Sequence, residues 1–470
     1  MREIAILFLL VMPWASITET TGLFSSVPNR LHENVEFVSL SDDALTSPCT
    51  EAPEASYPPW TSWTVKGVQN ILVLLVEFPD VKHSIAETTF EATLKSMNDY
   101  YTEVSYGKTS LRWSIASSWR TLPRIMSYYG EPKEKLKDAN RWKLVVDSIT
   151  ASQTIADFTQ FEYMMIIHAG KDEASSKVKE DIWSFCYCSF GHAQKLSYTD
   201  LGPASRQYWG IAVVSEEDSM GIFAHEFGHA LGLPDLYDSE YEGDEERLFV
   251  SDWSLMSYGS WLPRISGLKG TRPCHLDSWS KIMLGWAIYL VSKPSLAESD
   301  RRISPLAMRE GPHAVKIEID SYHYYLVEMR TKAGFDECLP SEGVLILLID
   351  DTRKSGAGIV KVMDGTPSTK TLNDAPFKAG ASFKDEANRI YVTVPLLSKT
   401  GGILLLSNRP ISPERLVATE IRTASVTGRY SDKISLKAQL VDNNGTPING
   451  ALLLMEYRHC LLYTSDAADE

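Results

Sequence analysis

Continuous apolar runs and amphipathic stretches alternate along the first part of the chain. The runs at 70–80 (NILVLLVEFPD), 162–170 (EYMMIIHAG) and 208–215 (YWGIAVVS) are short and bounded by turn residues, as is typical of strands buried on both faces. The stretch at 90–108 (FEATLKSMNDYYTEVSYGK) has apolar residues at helical spacing up to a glycine, and 110–119 (SLRWSIASSW) follows as another strand. This alternation of strands and helices predicts a mixed α/β (α+β) domain with a central sheet over residues 67–290.

The pattern changes at about residue 291, where short β-type runs separated by turns replace the alternation. These runs are AVKIEID, YYLVEMR, GVLILLID, RIYVTVPLL and GILLLS. They predict a β-rich companion domain over 291–410. Alternating runs around the turn DNNGTP then predict the start of a truncated β-sandwich-like module over 411–459.

The two ends of the chain carry segments of a different kind. One arginine and the apolar run 4–15 have the build of a secretory signal peptide, which we place at 1–20. The proline-punctuated stretch 21–66 predicts a propeptide or N-terminal arm and linker. The last residues, 460–470 (CLLYTSDAADE), resemble a translated sequencing adapter, so we expect the natural chain to continue past His459.

Composition narrows the classes of function. The formal net charge of −15 over 470 residues disfavours nucleic acid and anionic membrane surfaces as partners. Beyond the N-terminal run, which is too short to span a bilayer comfortably, no stretch reaches about 18 consecutive apolar residues, so we expect no membrane span. Six cysteines leave the disulfide connectivity open, although Cys186 and Cys188 are not expected to bridge each other.

The segment 224–235 (AHEFGHALGLPD) carries the candidate chemistry. On a helix, His225 and His229 lie one turn apart on the same face and can reach one ion, and Glu226 lies beside that face, placed for a metal-bound water. Gly232 can end the helix, after which Asp235 can supply a third ligand. Two histidines and one carboxylate, with a water in the fourth position, are the ligands of a catalytic zinc.

The longer string H-E-x-x-H-x-x-G-x-x-D resembles the metzincin metallopeptidases, in which a methionine turn lies beneath the zinc. The segment DWSLMSYGSW supplies Met256 for that turn, and Tyr258 matches a tyrosine that in some metzincins touches the metal or the oxyanion. A rival arrangement takes the third ligand from a glutamate on a second helix. The candidates for it are Glu242, Glu245 and Glu246.

Successive blocks of residues 68–408 resemble a narrower family, the immune-inhibitor-A-like (M6) secreted metallopeptidases. The blocks include YYTEVSYGK, DIWSF, AHEFGHALGLPDLYD, WSLMSYGSW, HLDSWSKIMLGW and YYLVEMRTKAGFDECLPSEGVLILLID. The resemblance implies a secreted zinc endopeptidase with a metzincin-like domain. Its ligands would be His225, His229 and Asp235, with Glu226 as the base. The chain departs from the family at Leu348, where a histidine is frequent.

Four further features are candidates for secondary roles. His168, at the end of a predicted strand, is expected to be structural or to support the ligands from behind. The acidic stretch 235–246 is either a solvated loop or a calcium site, the calcium candidates being Asp238, Glu240, Glu242 and Asp244. Cys49 in the predicted propeptide could cap the zinc, but a disulfide or a free thiol is the simpler expectation. The run 208–215 could form a cleft edge that pairs with an extended substrate.

These observations predict an extracellular zinc endopeptidase that acts on polypeptides through a metal-activated water, with the glutamate as general base. The alternative is a catalytically silent surface or adhesion protein that keeps the peptidase fold. The intact ligand set and Glu226 favour the enzyme. A zinc amidase acting on a non-protein substrate is compatible with the same ligands.

Overall fold

The computed structural model describes residues 7–10, 60–130, 140–192, 195–197, 207–239, 248–295, 299–411, 419–423, 438–442 and 453–456. The chain divides into two compact units, 35–410 and 1–34 with 411–470. In the second of these units, β1 (Leu7–Leu10) pairs antiparallel with β21 (Leu453–Glu456), and β19 (Thr419–Thr423) pairs antiparallel with β20 (Ala438–Asp442). The predicted arm up to residue 59, Cys49 and the adapter-like tail lie outside the described residues, as do most of the predicted signal peptide and of the 411–459 module.

A mixed sheet forms the first layer of the larger unit, with strand order β3-β2-β5-β9-β6 and β4 paired to β2. Its strands are β2 (Gly67–Glu77), β3 (Thr109–Ile115), β4 (Arg120–Thr121), β5 (Tyr163–His168), β6 (Phe185–Cys188) and β9 (Gly210–Ser215). A separate pair consists of β7 (Leu196–Ser197) and β8 (Gln207–Tyr208). All residues of β5 and β9 are buried, as the continuous apolar runs predict.

The predicted cleft edge at residues 208–215 is wrong. Strand β9 lies inside the sheet, parallel to β5 on one side and antiparallel to β6 on the other. Residues 210–213 are paired on both sides, so this part of the strand is not a free edge for a substrate. Periodicity reports which faces of a strand are buried, but it does not report how many neighbouring strands are present.

Helices cover both faces of this sheet. They are α1 (Glu87–Val104), α2 (Met126–Gly130), α3 (Arg141–Ser152), α4 (Glu173–Ser176), α5 (Met220–Ala230) and α6 (Ser278–Met283). Helices α2 and α3 pack on one face, whereas α1, α5 and α6 pack on the other. Short 3-10 turns lie at Phe158–Gln160, Phe190–His192, Ser251–Trp253, Tyr258–Trp261 and Gly334–Cys338. Among the described residues, no helix has the length and apolar character needed to cross a membrane.

The predicted β-rich region consists of two sheets packed face to face. One has the order β10 (Tyr289–Ser292), β12 (Ala314–Glu318), β13 (His323–Arg330), β14 (Gly343–Asp350) and β15 (Val360–Met363). The other has the order β11 (Ser299–Ile303), β18 (Gly401–Ser407), β17 (Ile390–Ser398) and β16 (Ser382–Asp385). All five predicted β-runs are strands, and β10 crosses the boundary predicted at 290.

The β-rich region shares its core with the helices that cover the first sheet. Leu326, Leu345 and Leu347 face the same buried cluster as Phe227 and Met256. Alternate residues of the same strands point the other way, into the space between the two β-sheets. The regions 67–290 and 291–410 are therefore joined by a continuous apolar interior, and both lie in one compact unit.

The described end of the predicted linker, 60–66, also lies against this interior. The indole nitrogen of Trp63 donates to the carbonyl of Leu231 (2.9 Å), and the amide of Val65 donates to the carbonyl of Leu284 (3.2 Å). The indole of Trp286 in turn donates to the carbonyl of Val65 (2.8 Å). The end of the segment that the sequence predicts as a linker is thus part of the packed fold.

A buried ionic cluster lies where the β-rich region meets the helices. Arg330 is fully buried, and it donates to both carboxylate oxygens of Asp336 (2.7 and 3.0 Å), to Glu328 (3.1 Å) and to the carbonyl of Trp253 (2.6 Å). Glu328 also accepts from the amide of Ser278 at the start of α6 (2.7 Å). Both regions supply its partners, so the cluster links them.

We expect Arg330→Met to lower the free energy of unfolding by about 3–5 kcal/mol, because it leaves the Asp336 and Glu328 carboxylates buried without a cation. Urea denaturation measures the change. Lys95→Met is the control, because Lys95 pairs with Asp99 at the surface (2.9 Å), where such pairs contribute about 0.5 kcal/mol or less. A loss below about 1 kcal/mol for the Arg330 variant would contradict the prediction.

His168 occupies the face of β5 that packs against α2 and α3, opposite the face that contacts α5. It is fully buried, its ring lies 6.1 Å from that of Phe78, and its Nδ1 lies 2.9 Å from the carbonyl of Ala169. Burial lowers the pKa of His168 to about 4. It is therefore a structural histidine, and the expectation that it could support the metal ligands from behind is not met.

The lowered pKa of His168 predicts acid sensitivity. In the unfolded chain His168 takes up a proton near pH 6.5, but in the folded chain it does so only near pH 4. The contribution of neutral His168 to the free energy of unfolding is therefore fully present above about pH 6.5 and is lost as the pH falls towards 4. We expect His168→Gln to reduce this acid-induced fall in the free energy of unfolding by roughly 3 kcal/mol. Urea denaturation at pH 6.5 and at pH 4 measures the fall. His323→Gln is the comparison: hydrogen bonding to Asp320 raises the pKa of His323, so removing this histidine should not protect the protein against acid. Equal acid sensitivity of wild type and His168→Gln would refute the assignment.

Candidate metal centre

Helix α5 presents two histidines of the HEFGH segment from consecutive turns. All residues of the helix are buried, and the rings of His225 and His229 lie 4.8 Å apart. Nδ1 of His225 lies 2.9 Å from the carbonyl oxygen of Leu255, and Nδ1 of His229 lies 2.7 Å from that of Leu233. Because only a protonated Nδ1 can donate to a carbonyl, these contacts leave the Nε2 lone pair of each neutral ring available to an ion.

The chain turns back after the helix and brings Asp235 to the two imidazoles. Gly232 has a φ of +94°, a left-handed conformation that favours glycine, and its amide donates to the carbonyl of His229 (2.7 Å). Oδ1 of Asp235 lies 3.3 Å from Nε2 of His225 and 3.2 Å from Nε2 of His229. The predicted ligands therefore meet, with their ligand atoms within 4.8 Å of one another.

The electrostatics of this group fit a bound cation. Burial alone would raise the pKa of Asp235, but His229 and His225 hold it well below its usual range, and Asp235 in turn raises the pKa of His229 against the effect of burial. Oδ1 of Asp235 is a buried oxygen that accepts no hydrogen bond of good geometry from the described residues. Two imidazole nitrogens and one carboxylate oxygen are the ligands that zinc prefers, so these residues fit that ion.

The predicted methionine turn lies directly against the ligand helix. Met256 is fully buried, and a Cβ atom built on Gly228 would lie 2.6 Å from its sulfur, so the helix can approach only because residue 228 is glycine. The same turn contacts both sides of the centre. Leu255 accepts from His225, as above, and the carbonyl of Met256 accepts from the amide of Leu236, next to Asp235 (2.8 Å).

Glu226 lies on the ligand helix between the two histidines and is 6% exposed. Its Oε2 is buried and accepts no hydrogen bond from the described residues. Burial raises the pKa of Glu226 to about 8, Asp235 adds to the rise and His225 opposes it. A bound cation would act in the same direction as His225, favouring the carboxylate form that can accept a proton.

Tyr258 lies near the centre, separated from His225 by another aromatic residue. The ring of Tyr237 stacks on that of Tyr258 (6.2 Å between centroids) and lies 6.3 Å from the His225 ring. The guanidinium of Arg264 lies over the other tyrosine, 5.3 Å from the centroid of Tyr258. Tyr237 was not predicted from the sequence, although its position two residues after the predicted carboxylate ligand is a usable signal.

Two residues from the β-rich region also reach the centre. The amide of Asp235 donates to Oγ of Ser355 (2.9 Å), and the amide of Gly356 donates to the carbonyl of Asp235 (3.0 Å). Neither residue could be predicted from the sequence, because a serine and a glycine in a loop 120 residues away carry no recognisable pattern.

The remaining candidates lie elsewhere or outside the described residues. Leu348, the departure from the family pattern, packs between the two β-sheets and not against the centre. Asp238 is buried at 6% exposure. The other calcium candidates (Glu240, Glu242 and Asp244) and the rival ligands (Glu242, Glu245 and Glu246) lie outside the described residues. Calcium binding thus remains a prediction from the sequence.

Comparisons with known proteins agree with this chemistry. Immune inhibitor A of Bacillus thuringiensis subsp. alesti is 27% identical and matches 46% of this chain and 40% of its own length. Pre-pro-metalloprotease PrtV of Vibrio cholerae serotype O1 is also 27% identical, over 47% of this chain and 30% of its own length. A putative secreted metallopeptidase of Arthroderma benhamiae is 24% identical, over 51% of this chain and 48% of its own length.

The chain thus spans less than half the length of these relatives. Among solved structures, metalloproteinase-II from Bacteroides fragilis matches 50% of this chain and 54% of its own chain at 13% identity, but its TM-score of 0.25 is too low to support any statement about the fold.

A family match supports the resemblance found in the sequence. Residues 159–287 match the family described as "Immune inhibitor A peptidase M6, catalytic domain". This range contains the ligand helix, the turn to Asp235 and the methionine turn. The predicted resemblance is confirmed: residues 159–287 of this chain match the catalytic domain of the immune inhibitor A (M6) metallopeptidase family.

Proposed function

We propose that this chain is a zinc-dependent endopeptidase that hydrolyses peptide bonds in extracellular proteins. The observation that carries the proposal is the meeting of two imidazole Nε2 atoms with Oδ1 of Asp235, at 3.2 and 3.3 Å. Three protein ligands suit a catalytic zinc, whereas a structural zinc has four. The secreted location is supported by the N-terminal apolar run and by the relative named as a putative secreted metallopeptidase.

The ligand residues His225, His229 and Asp235 would hold the ion. A zinc ion bound there supplies a Lewis acid that lowers the pKa of a coordinated water and polarises the carbonyl of the scissile peptide. The carbonyls of Leu255 and Leu233 fix the tautomer and the ring plane of each histidine, which keeps both Nε2 atoms aimed at one point.

Glu226 would act as general base and then as general acid. Its buried carboxylate has an oxygen that accepts no hydrogen bond from the described residues, so that oxygen can accept a proton from the attacking water. Because the pKa of Glu226 is raised by burial, the protonated form is also accessible and can return the proton to the leaving amine.

Tyr258 would assist by donating its hydroxyl to the oxyanion of the tetrahedral intermediate. Its ring stacks on that of Tyr237 and also contacts the Arg264 guanidinium. This contribution is secondary to that of Glu226, because the contact between Tyr258 and the ligands passes through Tyr237.

We expect Glu226→Gln to retain zinc and to lose casein hydrolysis by at least about a hundredfold, because the amide cannot accept the proton. Zinc content by elemental analysis and initial rates of casein hydrolysis measure the two effects. The control is Glu217→Gln, which changes an exposed glutamate ahead of the same helix. Substantial residual hydrolysis by the Glu226 variant would rule out its role as base.

Chelation separates the enzyme from the silent surface protein. Wild-type hydrolysis of casein should be abolished by a chelator and restored by zinc. A wild-type protein that holds zinc and hydrolyses neither casein nor a peptide library would contradict the proposed endopeptidase.

We expect Tyr258→Phe to lower kcat by about tenfold with little change in KM, because the hydroxyl would act only on the charge that develops in the transition state. Steady-state kinetics on a cleaved reporter peptide measure both constants. Tyr237→Phe is the matched comparison, since it keeps the ring stack and removes the neighbouring hydroxyl. A near-normal kcat for Tyr258→Phe would exclude the residue from catalysis.

A further inference from the structure

The third metal ligand is held by a part of the chain that the matched catalytic domain does not contain. Both backbone polar groups of Asp235 bond to one dipeptide, Ser355–Gly356. The Asp235 amide donates to Oγ of Ser355 (2.9 Å), and the Asp235 carbonyl accepts from the Gly356 amide (3.0 Å). The Gly356 carbonyl then accepts from the amide of Ser239 (3.2 Å), so the contact continues along the ligand segment.

The need for such a support follows from the position of Asp235. The backbone hydrogen bonds of helix α5 fix the positions of His225 and His229. Asp235 lies five residues beyond the helix and directly after Pro234, so no helical hydrogen bonds hold it. The only other described backbone bond next to it is that from Leu236 to Met256. The orientation of its carboxylate therefore depends on contacts with other segments.

The β14–β15 loop, residues 351–359, is itself well anchored. Asp350 accepts from the amide of Thr352 (3.0 Å) and from Nε of Arg353 (2.9 Å). The indole of Trp60 donates to the carbonyl of Arg353 (2.9 Å), and the indole of Trp279, on α6, donates to the carboxylate of Asp351 (3.0 Å). These hydrogen bonds fix the loop, so it can in turn hold the segment around Asp235 in one position.

We propose that Ser355 is a positioning residue for the metal ligand Asp235, so that the β14–β15 loop completes the metal centre from outside residues 159–287. Ser355 does not touch the ion or the substrate. It accepts the amide hydrogen of Asp235 and, with Gly356, fixes the backbone from which the ligand carboxylate projects. This inference rests on the proposed metal-dependent function.

The test compares zinc affinity in Ser355→Ala, Ser355→Thr and Thr352→Ala. The metal-free proteins are titrated with zinc against a chromophoric chelator, and their cobalt(II) forms are compared by visible absorption, which reports the geometry of the ligands. Thr352 is the matched control, because it lies in the same loop and its hydroxyl donates to Asp350, at the end of β14, and not to Asp235.

We expect Ser355→Ala to weaken zinc binding by about tenfold and to alter the cobalt spectrum. Ser355→Thr, which keeps the hydroxyl, should recover most of the affinity, and Thr352→Ala should bind zinc as wild type does. In kinetics, Ser355→Ala should lower kcat more than it raises KM, because the ligand and not the substrate is displaced. The melting temperature of each metal-free variant checks that the loop change has not unfolded the protein.

Wild-type affinity and an unchanged cobalt spectrum in Ser355→Ala would overturn the inference and leave the proposed function intact. Equal losses in Ser355→Ala and Thr352→Ala would also overturn it, since the effect would then belong to the loop in general. If Ser355→Ala does not fold, Ser355→Cys, which keeps a weaker acceptor, is expected to show an intermediate loss, and full affinity in that variant would count against Ser355. A wild-type protein that binds no zinc would instead overturn the proposed function.

Discussion

The candidate metal centre depends on bringing three electron-rich atoms close together in the protein interior: Nε2 of His225, Nε2 of His229 and Oδ1 of Asp235. Oδ1 of Asp235 lies 3.3 and 3.2 Å from the Nε2 atoms of His225 and His229, and the lone pairs of these three atoms face one another. Without positive charge these atoms repel one another, and burial makes that repulsion costly. Each of the three side chains is fixed separately: a helix carries the two histidines, backbone carbonyls orient their rings, and the 351–359 loop bonds to the backbone of Asp235.

The position of each ligand is a matter of backbone geometry, and this explains what the sequence could predict. The i, i+4 spacing of His225 and His229 predicts a shared face because the helical repeat is fixed. Gly232 predicts where the helix ends and the chain turns. The return of Asp235 towards the two histidines follows from this local geometry. The burial of β5 and β9 is also predictable, because a strand with no polar face must be covered on both sides.

Contacts made at long range could not be predicted in this way. The pattern YYLVEMR indicates two buried faces of a strand, but it does not say that one face would meet the same core as Phe227 while the other meets a second sheet. The same limit explains the wrong prediction for 208–215, where the neighbouring strand β6 is antiparallel and comes from an earlier part of the chain. Ser355 is the extreme case, since the role proposed for it depends on a partner 120 residues away.

The junction between the two regions has a consequence for how the molecule can vary in evolution. A crossover near residue 290 that exchanged the β-rich half for an unrelated module would separate Arg330 from Trp253 and Ser355 from Asp235 in a single event. Gene rearrangements that preserve the centre should therefore inherit residues 60–410 as one block.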